Sequence, residues 1–292
     1  MLKRLFFFFL TNILVLLTIS IVLNLLGVKP YITAQGISYE SLMIFCLVWG
    51  MGGAFISLAM SRFMAKMMLG VKVIDPASPG EYRWLYDMVA QHAKQAGLPN
   101  VPEVGVYPSP EANAFATGPM KSRSLVAFSS GILNSMNTDQ LSGVAAHEIS
   151  HIANGDMVTM TLLQGIMNAF VMFLSRIIAF AVSQGVKEES RWMVNMLVTV
   201  VLEILLSMLG MIVIFWFSRQ REYRADAGAA RLAGRERMIS ALELLGRARL
   251  LPQQQASLAT LKISGKSRGF MALFASHPPL EERIARLQSG SF

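Results

Sequence analysis

Four long apolar runs and two polar blocks alternate along the 292-residue chain. Leu5 to Leu26 holds 22 residues without a charge, enough at 1.5 Å per helical residue to cross the roughly 30 Å hydrocarbon layer of a bilayer. Lys3 and Arg4 flank it, and neither the short apolar core nor the small-residue cleavage site of a signal peptide is present, so it reads as an uncleaved signal anchor. A second span is expected from about Ser41 to Met60. Two further runs, about Thr159 to Ser183 and Trp192 to Phe217, are joined by the short polar link Gln184 to Arg191 and read as a helical hairpin. Gln164, Asn168 and Arg176 interrupt the first of these and Glu203 the second, so the hairpin either crosses the bilayer or sits partly in a protein-lined recess. Arg176 lies eight residues before Gln184 and Glu203 eleven after Trp192, which gives them matched depth in antiparallel helices and predicts that they pair.

The polar blocks carry ordinary turn signals. Ser78-Pro79-Gly80-Glu81 reads as a capping box that opens a helix through Trp84, Leu85, Met88 and Val89, with its stop at Gly97. Short β-like runs follow at Glu103 to Tyr107, Asn113 to Thr117 and Ser124 to Phe128, which predicts a small sheet. Asn137-Thr138-Asp139-Gln140 is a helix start and Asn154-Gly155 a helix stop, so Leu141 to Ala153 is expected to be helical. The remainder reads as helical with a flexible polar stretch from Pro252 to Arg268. The expected organisation is an N-terminal transmembrane hairpin (1–60), a polar block (61–158), a second hydrophobic hairpin (159–217) and a final helical block (218–292).

Composition narrows the class. With 53% hydrophobic and only 15% charged residues, where a soluble domain carries about a quarter, the chain is neither disordered nor an ordinary cytosolic globule. The lone cysteine, Cys46, excludes an internal disulfide and a cysteine-rich zinc site, so any metal must be held by histidine and carboxylate. Its place within a span suggests packing. The net charge of +8 fits the basic flanks of a membrane protein better than nucleic acid, because no basic stripe is interleaved with aromatics. Lys3, Arg4, Arg62, Lys66, Lys72, Arg219, Arg221 and Arg224 flank one side, against Lys29, Lys187 and Arg191 on the other, which places both termini and the polar blocks on the cytoplasmic side.

Candidate chemistry sits in His147-Glu148-Ile149-Ser150-His151. Residues four apart share a helix face, so His147 and His151 can offer imidazole nitrogens to one metal ion while Glu148 stands beside them as a base for water. Peptide hydrolysis calls for that set, since zinc lowers the pKa of water toward about 7 and polarises the carbonyl while a carboxylate takes the proton. A catalytic zinc needs a third protein ligand, and Glu222 is expected to supply it from Glu222-Tyr223-Arg224-Ala225-Asp226, with Asp226 accepting a hydrogen bond from a ligand histidine. The competing reading is an i,i+4 surface pattern among Arg219, Arg221 and Arg224. His92 reads as a boundary residue of its amphipathic helix. His277-Pro278-Pro279 with Glu281 is a good helix start, which would make His277 a cap. Asn113-Ala114-Phe115-Ala116 is either a plain edge strand or one that pairs with an extended peptide.

HEISH after a small αβ block, EYRAD after a hydrophobic hairpin and SHPPLEERI near the end, in that order, resemble the HtpX family of membrane zinc metalloproteases, relatives of the CAAX prenyl and Oma proteases. The resemblance covers nearly the whole chain. It implies an α-helical membrane protein of four hydrophobic helices with a cytosolic α+β zinc metallopeptidase domain, one zinc ion per chain, and residence in the bacterial cytoplasmic membrane. By resemblance His147, His151 and Glu222 are zinc ligands, Glu148 is the catalytic base, His277 and Arg283 line the site and steady the oxyanion, and Asn113 lies near the substrate cleft. The implied activity is endopeptidase quality control of membrane proteins under stress, with membrane-protein substrates and other membrane quality-control proteases as partners. A scaffold stapled by zinc would close its metal with four protein ligands, and only three are evident. A transporter is suggested only by Arg176 and Glu203.

Overall fold

Each apolar run that can be followed folds as a helix, and the helices of the second and fourth runs extend well beyond their greasy stretches. The computed structural model describes residues 36–77, 80–250 and 277–290, with 32–33 and five positions of the first apolar run (17, 19, 21, 24 and 25). The rest of that run, Ser78-Pro79 and the polar stretch Pro252 to Arg268 lie outside the described residues. In chain order the elements are β1 (Ile32–Thr33), β2 (Gly36–Ile37), α1 (Tyr39–Leu69), β3 (Lys72–Val73), α2 (Arg83–Gln95), β4 (Glu103–Tyr107), β5 (Ala114–Met120), β6 (Arg123–Ser129), α3 (Ser130–Ser135), α4 (Thr138–Asn154), α5 (Asp156–Gln184), α6 (Glu188–Leu232), α7 (Arg235–Leu250) and α8 (Leu280–Ser289). Among the described residues three helices, α1, α5 and α6, are long and apolar enough to cross a membrane. The chain divides into two units, Met1–Leu58 with Thr159–Ile214, and Ala59–Val158 with Phe215–Phe292.

Among the described residues the first unit is helical apart from the antiparallel pair β1–β2 and the short links between elements. Leu42, Cys46 and Ala169 form a buried contact between α1 and α5, so Cys46 is a packing residue. Gly50 makes the close approach possible: a Cβ there would stand 2.6 Å from the backbone nitrogen of Ala169. Arg176 donates to Glu203 at 2.7 Å and to the Met172 carbonyl at 3.1 Å, the pairing expected from their matched depth.

The second unit builds a four-stranded mixed sheet in the order β3-β4-β6-β5, with β4 and β6 parallel and the other pairs antiparallel. β3 was not foreseen, because two residues carry no periodicity. The start of β4 is tied to the end of α1 by Glu103, which lies 2.5 Å from Arg62 and 2.7 Å from Lys66. One face of the sheet presents Val104, Val126 and Phe128 to Leu85 and Val89 of α2 and to Leu141, Ala145 and Ile149 of α4. Each such aliphatic or aromatic side chain contributes about 1.5–3 kcal/mol on burial. Ala146 of α4 packs against Ala229 of α6, Leu242 of α7 and Leu287 of α8. Twelve consecutive residues of α4, Leu141 to Ile152, are therefore buried, although its sequence has a polar face. Gly228 admits this crowding, since a Cβ on it would lie 2.3 Å from the Ser150 hydroxyl.

The punctuation of α4 follows the sequence: Asn137 and Gln140 form a reciprocal capping box, and Gly155, at φ 72°, ends the helix in the left-handed conformation. Other expectations need correction. Helix α2 begins at Arg83, because Gly80 to Tyr82 form a turn closed by Arg83 N donating to the Gly80 carbonyl, at 3.1 Å. The expected stop at Gly97 holds, at φ 68°. His92 is buried, with its Nε2 2.9 Å from Ser142 Oγ on α4. Helix α8 is preceded by Pro279 with no side-chain cap, so His277 does not cap it.

Candidate metal centre

Two helices supply the polar core of the second unit. One turn of α4 separates His147 from His151, which brings their Nε2 atoms to 3.1 Å. Helix α6 continues past its apolar stretch without a break and delivers Glu222 beneath both rings, with Oε2 3.7 Å from His147 Nε2 and Oε1 3.4 Å from His151 Nε2. One ligand atom from each of the three lies within 4.8 Å of the others, and all three residues are buried.

Each histidine is backed by a carboxylate. Asp156 Oδ2 lies 2.6 Å from His151 Nδ1, so the ring presents Nε2 inward. Asp226 Oδ1 is 3.0 Å from His147 Nδ1, in contact but out of line for a hydrogen bond. Burial works against a charged His147 ring, yet Asp226 and Glu222 overcome it and raise its pKa to about 9. His151 is likewise raised, by Asp156 and Glu222 against burial. Asp156 was missed by the sequence reading. It stands five residues beyond His151, and only the chain reversal at Gly155 returns it to the ring; an acid directly after the helix stop was the available signal.

Arg283 on α8 is buried and forms a two-pronged contact with Asp226, Nε to Oδ2 at 2.7 Å and Nη2 to Oδ1 at 2.6 Å. Its Nη1 reaches Glu222 Oε2 at 3.5 Å. His277 is more exposed and places Nδ1 3.2 Å from the same Glu222 oxygen. Glu148, His147, Glu222, His277, Arg283 and Asn113 all border one cleft of about 220 Å³. Asn113 precedes β5, the outer strand of the sheet, and its backbone is held by Ser129 through both hydroxyl and amide. All the residues singled out from sequence for chemistry thus border this cleft or its metal set.

The donor set suits a divalent cation. Two imidazole nitrogens and one carboxylate converge, and among the described residues four carboxylates, Glu148, Asp156, Glu222 and Asp226, are buried around them, against the buried guanidinium of Arg283 and the partly buried Arg221, 3.6 Å from Glu222. Burying so much negative charge is unfavourable without compensation, which a divalent ion on the His-His-Glu set provides.

Residues 79–291 match Peptidase family M48. The chain is 52% identical to the protease HtpX homolog of Bacillus subtilis (strain 168), covering 99% of this chain and 100% of that protein. It is 49% identical to protease HtpX of Aeromonas hydrophila subsp. hydrophila, over 98% of this chain and 99% of that one. Its fold is similar to the crystal structure of S. mikatae Ste24p, with a TM-score of 0.64 and 19% identity, covering 98% of this chain and 65% of that chain.

Proposed function

The chain belongs to peptidase family M48, a metalloendopeptidase grouped with the HtpX proteases, and from that premise we propose that it uses zinc to cut membrane or misfolded proteins on the cytoplasmic side of the bacterial inner membrane. The observation that carries this reading is the convergence of His147, His151 and Glu222 in a cleft that Glu148 borders. His147, His151 and Glu222 would hold one zinc ion per chain. Bound there, zinc would polarise the scissile carbonyl and make water a better acid.

The remaining work falls to side chains. Glu148 takes a proton from the attacking water and returns it to the departing amine nitrogen. His277 reaches into the cleft mouth and donates a hydrogen bond to the carbonyl oxygen as it gains negative charge. Arg283 has its donors engaged by Asp226 and Glu222, which makes it a positioning residue for Glu222 rather than an oxyanion donor. Asp156 fixes the His151 ring and Asp226 braces His147. Asn113, ahead of the outer strand β5, flanks the place where an extended substrate would lie.

Membrane substrates are favoured by connectivity: His151 stands eight residues before the third apolar run and Glu222 five after the fourth. We assign the role of quality control under stress, alongside other membrane proteases, on the same family grounds. The test is cleavage of a membrane-anchored test substrate by the full chain in lipid nanodiscs. Activity should vanish with a zinc chelator and return on adding zinc; cleavage that persists without metal would contradict the reading.

A further inference from the structure

A second cavity, of about 370 Å³, shares Arg283 with the cleft and is rich in cations. Arg224, Arg231, Arg283 and Arg286 line it, with Asp226 as the only carboxylate in its wall. Arg283 is neutralised by Asp226, and Arg286 stacks on the Tyr223 ring at 3.8 Å and lies 3.6 Å from Glu282. Arg224 and Arg231 differ: both are exposed, and neither has a hydrogen-bond or ion-pair partner among the described residues. They stand seven residues apart on α6, two turns on one face, with the small Ala227 between them leaving room. The unused guanidiniums therefore converge on one hollow.

Two free guanidinium forks beside a third cation, with Asn154 adding an amide, match the oxygens of a phosphate group, which arginine binds through paired N–H donors. The basic flanks of membrane spans explain arginines near this point of the chain, but not their gathering around a cavity. We propose that this cavity is a phosphate-binding site, distinct from the peptidase cleft, that takes either an anionic lipid headgroup or a free phosphate. Arg283 borders both hollows, so an occupant of this one adjoins the residue that braces Glu222 and Asp226.

The test uses the full chain in nanodiscs of zwitterionic phosphatidylcholine or of anionic phosphatidylglycerol. Calorimetric titration of inorganic phosphate reads binding, and phenylglyoxal modification of Arg224 and Arg231, followed by mass spectrometry, reads occupancy at the residues themselves. Slower modification in phosphatidylglycerol alone identifies a lipid headgroup, whereas saturable binding and protection by inorganic phosphate in phosphatidylcholine identify a free phosphate. In either case the double variant Arg224→Gln/Arg231→Gln should lose at least tenfold in apparent affinity, read by calorimetric titration of inorganic phosphate for the free-phosphate outcome and of soluble short-chain phosphatidylglycerol for the lipid outcome. Arg247→Gln, outside the cavity, should leave it unchanged. Protection by neither source, or undiminished affinity in the double variant, overturns the proposal.

Discussion

At the scale of single residues, the balance of burial against neighbouring charge decides which histidines ionise: carboxylates raise His147 and His151 against burial, whereas burial prevails at His92. His92 is enclosed against Ser142, and burial with the nearby Arg237 charge lowers its pKa despite the Gln95 contact. The neutral ring is thus the folded form, and its contribution to stability is full above the ordinary value near 6.5 and is lost as pH falls through the lowered folded value. Wild type should lose more stability than His92→Gln on acidification below pH 6.5, by up to about 1.4 kcal/mol per pH unit for one proton. Denaturation midpoints at stepped pH check this, and parallel curves for the two proteins would refute it. His147, His151 and Glu148 were legible because four-residue spacing on a helix is a local property. Glu222 and Asp226 were legible as a pair, although their approach to the histidines depends on α6 packing beside α4. Asp156 and the core placement of His92 depend on a left-handed turn and a cross-helix contact, neither of which has periodicity.

Among the elements, the three apolar runs within the described residues were the most legible, since length and hydrophobicity alone mark them. Their ends were not: α6 continues fifteen residues past Phe217 to Leu232, because no proline interrupts Arg219 to Arg231, Gly228 is held by its close contact with Ser150, and the alanines there pack on α4 and α7. The two-residue strand β3 and the late start of α2 were also illegible, being set by sheet pairing and by the turn at Gly80. The Arg176–Glu203 bond offers a test of element pairing, because a charge left alone in an apolar helix is costly. Arg176→Leu and Glu203→Leu should each destabilise the chain by about 1–3 kcal/mol, while the double variant should cost less than the sum of the two. Thermal unfolding in nanodiscs measures the cycle, and strict additivity would dissolve the coupling.

For the whole molecule, connectivity ties the metal set to two apolar runs, so the proposed preference is for segments close to a membrane span. Anchoring raises the effective concentration of such segments without requiring tighter peptide recognition. Moving one susceptible sequence stepwise away from the span of a test substrate should lower its cleavage rate progressively; equal rates for near, distant and free soluble sites would remove membrane proximity from selection. Beneath that preference stands the assignment of His147, His151 and Glu222 to metal and of Glu148 to the proton. The most direct test measures zinc per chain and cleavage together in Glu148→Ala and Glu222→Ala. Glu148→Ala should keep about one zinc ion and lose cleavage by a factor of 100 or more, and Glu222→Ala should lose the zinc itself. Near-normal turnover in Glu148→Ala, or full zinc content with activity in Glu222→Ala, would contradict it.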